Sequence, residues 1–105
     1  MDRPTHDQPS GDLLEGWTRL LATGDDAAWR WFHERYYLAL LRYAAHRSGD
    51  TSAASEIVQQ AYLRVARHAK PFSKEPDFWG WLCCIARCAA LDHARQDVLG
   101  HRARH

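Results

Sequence analysis

Hydrophobic residues along the chain recur mainly at intervals of three and four, the spacing that places side chains on one face of an α-helix. The first such stripe is short; a cap at Ser10 or Asp12 can precede it, and Gly24 ends it. Its members are Leu13, Leu14, Trp17, Leu20 and Leu21. This segment is therefore predicted to form a short first helix.

The second predicted helix is long and rich in aromatic residues. Asp25 or Asp26 can cap its start, and the Ser-Gly-Asp sequence at 48–50 marks its end after about Arg47. One stripe contains Trp29, Phe32, Tyr36, Leu40 and Tyr43, and Trp31, Leu38 and Leu41 widen it. The breadth of this apolar face predicts that the helix packs against more than one neighbour.

A third helix is predicted from about Ser52 to His68, with clearly different faces. Its apolar face contains Ile57, Val58, Ala61, Tyr62 and Val65. Its polar positions include Glu56, Gln59, Gln60, Arg64 and Arg67. One side is expected to pack and the other to remain available for binding.

A loop and a fourth helix complete the pattern. Pro71 and Pro76 bracket the loop, since each disfavours helix at the residue before it, and Phe72 can anchor it to the core. The helix is predicted to begin near Pro76 or Asp77 and to reach about Gln96. Its stripe contains Phe78, Leu82, Ile85 and Ala89, with Trp81, Ala86 and Leu91 beside it.

The predicted fold class is all-α, a compact bundle of about four helices, because apolar and polar residues nowhere alternate in the manner of a strand. A chain of 105 residues has room for one domain. We assign residues 12–97 to that domain, residues 1–11 to a flexible N-terminus and residues 98–105 to a frayed C-terminal tail.

Composition narrows the class of protein. Hydrophobic residues make up 46% of the chain and charged residues 26%, a balance typical of a globular domain with a modest core. No run of eighteen apolar residues occurs, and the N-terminal sequence lacks the basic-then-apolar order of a signal peptide. We therefore expect a cytoplasmic protein.

Charge is unevenly distributed although the net charge is only +1. Residues 1–28 have two arginines and six acids, whereas residues 29–71 have seven basic residues and three acids. Twelve of the fourteen basic residues are arginine, which suits bidentate contacts with phosphate or carboxylate. Genome composition alone can produce the same bias, so both interpretations stay open.

The sequence offers little apparatus for catalysis or metal binding. Cys83, Cys84 and Cys88 lie within six residues, too closely set for a disulfide framework, and are expected to be reduced thiols. The seven histidines provide no second ligand pair at zinc spacing. No nucleophile elbow or phosphate-binding loop is present. We predict no metal, no cofactor and no enzymatic activity.

Two tryptophans suggest binding to nucleic acid. Trp79 and Trp81 lie two residues apart on the fourth helix and therefore point in different directions. A path from Trp79 towards Arg87, His93 and Arg95 could run beside an unpaired strand. The alternative is that Trp79 covers the edge of the core and the arginines are simply solvated.

Three segments, in order, carry a resemblance to a known family. They are GDDAAWRWFHERYYLALLRYAAHRSGD, ASEIVQQAYLRVARHAK and FWGWLCCIARCAALDHARQ, which together span residues 24–96. Their order and spacing resemble the region 2 domain of bacterial sigma factors of the sigma-70 family, particularly the extracytoplasmic-function group. The resemblance implies a cofactor-free domain that binds RNA polymerase core and helps to recognise and melt the promoter −10 element.

The resemblance assigns the third helix to polymerase binding. In that family the matching helix docks on a coiled coil of the largest polymerase subunits through polar residues. The implied polymerase-binding residues here are Glu56, Gln59, Gln60, Arg64 and Arg67. Gln60 replaces an acid common at that place, which removes one charge. A merely solvated helix face is the alternative.

The resemblance assigns the fourth helix to DNA, on the non-template strand of the −10 element. The implied DNA-binding residues are Trp79, Trp81, Arg87, Cys88, His93 and Arg95. Of the two tryptophans, we expect Trp81 mainly to pack and Trp79 to meet DNA. Asp92 and Arg95 match the family's Leu-Asp-x-x-Arg ending, for which an intrahelical ion pair is the alternative.

Departures from the family pattern fall on this DNA-reading helix. Cys83 stands where an aromatic residue is frequent, Cys84 where a basic residue is frequent, and Cys88 where asparagine is common. Promoter reading is therefore expected to be weak. The competing hypothesis is a sigma-like protein–protein module that engages polymerase, an anti-sigma factor or itself without productive promoter reading.

Overall fold

The computed structural model describes residues 11–103, which form four helices. These are α1 (Gly11–Leu21), α2 (Asp26–Ser48), α3 (Thr51–His68) and α4 (Glu75–Ala103). The described residues contain no strand, so the all-α prediction is confirmed. Residues 1–10 of the predicted flexible N-terminus, and residues 104 and 105 of the predicted tail, lie outside the described residues.

Short polar turns separate the first three helices at the predicted places. The Asp25 carboxylate accepts a hydrogen bond from the Ala28 N–H at 2.9 Å, and Asp50 accepts one from the Ser52 N–H at 2.9 Å. These bonds satisfy amide groups that a helix start leaves without an internal partner. Gly49 ends α2 with a φ of 70°, a conformation in which a Cβ atom would be strained.

The fourth helix is longer than predicted. It begins at Glu75, so Pro76 lies in the first turn. Backbone N–H groups in the first turn have no acceptor within the helix, so the absence of an N–H on proline removes no helical hydrogen bond. It continues through the predicted end at Gln96 to Ala103, so α4 includes residues 98–103 of the predicted tail. The extension contains no proline, and the single Gly100 weakens a helix without ending it.

The core lies where α2 packs against each of the other three helices. Phe32, Tyr36 and Phe78 are fully buried, and their rings lie 5.2–6.2 Å apart in edge-on or tilted contacts. Thr18 connects α1 to the loop before α4, because its hydroxyl donates to the Leu14 carbonyl and accepts from the Phe72 N–H. The predicted anchoring of the loop by Phe72 is observed, since its ring packs on Phe78 at 5.3 Å.

One carboxylate is buried with this aromatic core. Glu75 is 3% exposed, and the Tyr36 hydroxyl donates to its Oε2 atom at 3.3 Å. Burial, together with the negative charge of Glu75, holds the pKa of Tyr36 far above its usual value. The phenol therefore stays protonated and continues to donate this bond, which joins α2 to the start of α4.

No helix within residues 11–103 is long and apolar enough to cross a membrane.

Candidate functional site

The outward face of α3 carries most of the predicted polymerase-binding residues. Glu56, Gln59, Gln60 and Arg67 are exposed, while the opposite face buries Ile57, Val58, Ala61 and Val65. The helix therefore separates its packing face from its polar face as the sequence predicts.

Leu63 is a residue of this face that the sequence reasoning missed. It lies four residues after Gln59 and four before Arg67, and it is 58% exposed. An apolar side chain surrounded by polar ones is the arrangement found at the centre of protein–protein interfaces. The helical spacing contained this signal, since Leu63 falls outside the apolar stripe of α3.

Two polar side-chain contacts join α3 to α4 and bring the two predicted sets of residues together. His93 Nε2 lies 2.9 Å from Glu56 Oε2, and Arg64 donates a hydrogen bond to Asp92. Glu56 and Arg64 come from the predicted polymerase set, whereas His93 comes from the predicted DNA set. The two proposed binding faces are thus connected by direct contacts along one seam.

Asp92 contacts two arginines at this seam. The hydrogen bond from Arg64, and then the charge of Arg64, hold the pKa of the Asp92 carboxyl below its ordinary value. Arg95 approaches the same carboxylate at 3.7 Å from one turn along α4, so the intrahelical ion pair that was the alternative interpretation of these two residues is present. Asp92 therefore remains ionised well into the acid range and keeps Arg64 half-buried.

A polar cleft of about 280 Å³ opens along this seam. Its lining consists of Glu56, Gln59, Gln60, Arg64, Ala89, Asp92, His93 and Gln96. A second hollow of about 230 Å³ lies on the other side of His93, towards Arg47, Ser48 and Asp50. His93 lines both hollows, and its side chain is a quarter exposed.

The structure contradicts the expected exposure of Trp79. This side chain is only 5% exposed, and its ring stacks on Tyr36 with an interplanar angle of 17° and centroids 6.3 Å apart. Its neighbours on the same helix face, Cys83, Ala86 and Ala90, are small, which leaves room for the indole against α2. Trp79 belongs to the core, and its face is closed to an incoming base.

Trp81 is the more accessible of the two tryptophans. It is half-buried, and its ring contacts Phe72 at 5.3 Å and Phe78 at 6.0 Å between centroids. The packing role expected for Trp81 is therefore observed. The exposed part of the ring lies at the α4 end nearest the preceding loop.

The outward face of α4 carries the remaining predicted DNA-binding residues. Arg87, Cys88 and Arg95 are exposed and follow one another at three- and four-residue spacing with Cys84 and Leu91. Leu91, 54% exposed, was assigned beside the core stripe by its sequence position but lies on this outer face. The face thus combines two arginines with small and apolar side chains.

The three thiols differ sharply in environment. Cys84 and Cys88 are exposed, whereas Cys83 is 9% exposed, and burial raises its pKa to about 11. The described side chains include no group of three or more histidine, cysteine or acidic residues placed to hold a metal ion. Within the described residues, the exposed thiols of Cys84 and Cys88 therefore do not belong to a cluster of three or more such ligands.

Iodoacetamide at about pH 8 is expected to alkylate Cys84 and Cys88 of the native protein and to spare Cys83, because the thiolate is the reactive form and access is required. Intact-mass spectrometry would then show two carbamidomethyl groups on the native chain. The same reaction in denaturant should add a third. Three groups on the native chain would contradict the burial of Cys83.

Comparison with known families identifies a family that matches this helical domain. The family model described as Sigma-70 region 2 matches residues 32–98, well over half of the chain, from the second turn of α2 to the last part of α4. The helix α1 precedes the matched segment. Neither the search of curated proteins nor the search of solved structures gives a significant match.

Proposed function

We propose that this protein binds RNA polymerase core through α3 and promoter DNA through α4. The chain belongs to the sigma-70 region 2 family, which is the basis of the proposal. The family is one of sigma factor domains that act in polymerase binding and promoter melting, and it is not an enzyme family. The observation that carries the finer proposal is the separation of two exposed faces, one polar with Leu63 at its centre and one containing Arg87 and Arg95.

The α3 face supports polymerase docking by its composition. Leu63 offers apolar area at the centre, and Gln59, Gln60 and Arg67 around it can each make hydrogen bonds at a rim that water still reaches. Amide side chains both donate and accept, so they suit a partner helix that carries mixed polar groups. We add Leu63 to the polymerase-binding residues on this ground.

The α4 face supports contact with the DNA backbone more strongly than base stacking. Arg87 and Arg95 are exposed and lie on one side of the helix, where guanidinium groups can follow successive phosphates. The aromatic surface left for an unstacked base is the exposed part of Trp81, because Trp79 is buried. We therefore transfer the proposed stacking contact from Trp79 to Trp81.

Core binding followed by transcription tests the whole proposal. Core polymerase would be incubated with the tagged full chain, and the captured complex would be used for run-off transcription on a promoter library. Capture with specific transcripts would support both faces. Failure to capture polymerase would overturn the proposal, because binding to the core enzyme through α3 is its first claim.

The salt dependence of DNA binding tests the α4 face by itself. Arg87→Ala and Arg95→Ala are each expected to reduce the slope of log affinity against log salt by about 0.7 for a lost single-strand phosphate contact. Binding to a −10-like single-stranded oligonucleotide would be measured by fluorescence anisotropy, starting at low salt.

The matched control for this titration is Arg19→Ala on α1. Arg19 is exposed and ion-paired with Glu15 at 2.9 Å, so it resembles Arg95 in exposure and in having a carboxylate partner. Its removal should leave the salt slope unchanged. An equal loss of slope for Arg19→Ala would show that net charge, rather than the α4 face, determines binding.

One observation favours a second candidate, a sigma-like protein-interaction module without promoter reading. Burial of Trp79 removes the aromatic residue first expected to stack on a base, and Cys84 and Cys88 occupy the outer face of α4. Polymerase capture combined with no oligonucleotide binding at low salt would favour this candidate. Partners other than polymerase, including an anti-sigma factor, belong to it.

A further inference from the structure

The two exposed thiols of α4 form a defined geometric pair. Cys84 and Cys88 are four residues apart in the middle of a helix that runs from Glu75 to Ala103. Residues at this spacing lie on one face with Cβ atoms about 5–6 Å apart. Both thiols are free and exposed, whereas Cys83 faces the core. The pair is therefore a two-sulfur site that is open to solvent.

The spacing of this pair disfavours a disulfide. A disulfide has Cβ atoms about 3.5–4.5 Å apart and an S–S bond of about 2.05 Å, so closing one here requires the helix to distort. An atom held between the two sulfurs replaces that single bond with two longer ones, about 2.3 Å each for zinc thiolates. The helix thus favours a bridging thiophilic atom over direct oxidation to a disulfide.

The burial of the neighbouring cysteine limits which thiols a ligand can reach. Because Cys83 is buried on a different helix face, only two thiols are available to one ligand.

We propose that Cys84 and Cys88 form a binding site for monosubstituted trivalent arsenicals, a ligand class whose arsenic bonds to two thiols. For an arsenoso compound, R–As=O, two S–As bonds form, the arsenic–oxygen bond breaks, and both thiol protons leave with the oxygen as one water molecule. The arsenic stays trivalent, and no oxidant or reductant is required. Zinc, by contrast, ordinarily takes four ligands, which this face lacks among its described residues.

The site lies on the α4 face that we propose for DNA, so this part of the inference rests on the proposed function. Arg87 and Leu91 are exposed on the same face as the two thiols, so a bound arsenical would place its organic group among residues assigned to the strand. Occupancy is therefore expected to block DNA binding while leaving α3, on another side of the bundle, free to bind polymerase.

Phenylarsine oxide is the probe that tests the site. The reduced full chain would be mixed with one equivalent of probe and excess glutathione, and its intact mass would be measured. One phenylarsenic group per chain, with two hydrogens lost, is the expected product. Cys84→Ser and Cys88→Ser should each weaken apparent binding by about 100-fold or more, because the second thiol acts at a high effective concentration.

Cys83→Ser is the matched control, since it removes a neighbouring thiol from the buried face. It should keep the adduct at full strength, and circular dichroism would establish that all three variants are folded. Equal binding by Cys84→Ser and the unchanged protein, or loss of binding only in Cys83→Ser, would overturn the site.

The DNA consequence is measured separately with the oligonucleotide assay. Loading with phenylarsine oxide should abolish DNA binding, and excess dimercaptopropanol should restore it. Absence of DNA binding before loading would count against the proposed function, whereas the mass result still decides the thiol site. Undiminished DNA binding by the fully loaded protein would overturn the proposed blocking.

Discussion

Replacement of Trp79 by alanine is expected to lower the free energy of unfolding by about 3–5 kcal/mol, the range for removing a buried large aromatic side chain. The indole is 5% exposed and stacks on Tyr36, which is itself fully buried. Its loss leaves a cavity between α2 and α4 that the small neighbours Cys83 and Ala86 cannot fill. Urea denaturation followed by circular dichroism would measure the change.

Two further variants separate packing from DNA contact. Trp81→Ala should be less destabilising, because Trp81 is only half-buried. Trp79→Phe keeps an aromatic ring and removes the indole N–H, which is buried without a hydrogen-bond partner. It should therefore fold, be less destabilised than Trp79→Ala, and bind single-stranded DNA as the unchanged protein does. Weaker DNA binding by folded Trp79→Phe would instead return Trp79 to the interface.

The misplacement of Trp79 shows what helical spacing leaves undetermined. The stripe from Phe78 through Leu82 and Ala89 was recognised because its members are large or regularly spaced. The adjoining row that begins at Trp79 continues through Cys83, Ala86 and Ala90, whose small side chains give only a weak apolar signal. The position of Tyr36 on α2 determines that Trp79 packs inward, because the two rings stack beside these small residues.

The helix boundaries were more predictable because local chemistry determines them. Asp25 and Asp50 cap the starts of α2 and α3, and Gly49 supplies the left-handed conformation that ends α2. Each of these effects operates within four residues of the chain. The predicted end of α4 at Gln96 was wrong, because no capping residue or left-handed glycine at that position defines where the helix ends.

The polar contacts between α3 and α4 depend on tertiary structure instead. Spacing within α4 suffices to predict the contact between Asp92 and Arg95, which are three residues apart. The Arg64–Asp92 contact joins residues 28 positions apart, and the Glu56–His93 contact joins residues 37 apart. Only the packing of α3 beside α4 reveals that residues assigned to two different partners touch each other.

Charge reversal at Glu56 tests both the contact between Glu56 and His93 and the proposed contact between Glu56 and polymerase. Glu56→Arg is expected to reduce the affinity for core polymerase more than about 100-fold, because the proposed partner of Glu56 is a basic group of the docking helix, and like charges across an interface oppose binding by several kcal/mol. The Glu56 side chain is 70% exposed and its partner His93 lies near the surface, so stability should change by less than about 1 kcal/mol. Surface plasmon resonance with immobilised core enzyme would measure the affinity.

Two comparison variants determine whether Glu56 acts directly on polymerase. Glu15→Arg reverses a partly exposed, ion-paired glutamate on α1, which packs chiefly on α2, and it should bind core polymerase normally. His93→Ala removes the partner of Glu56 but keeps the carboxylate on the α3 face, so it should bind almost as well as the unchanged protein. If His93→Ala loses as much affinity as Glu56→Arg, the carboxylate serves to hold α3 against α4, and the direct contact with polymerase is excluded. Retained affinity in Glu56→Arg would place the docking surface elsewhere on the bundle.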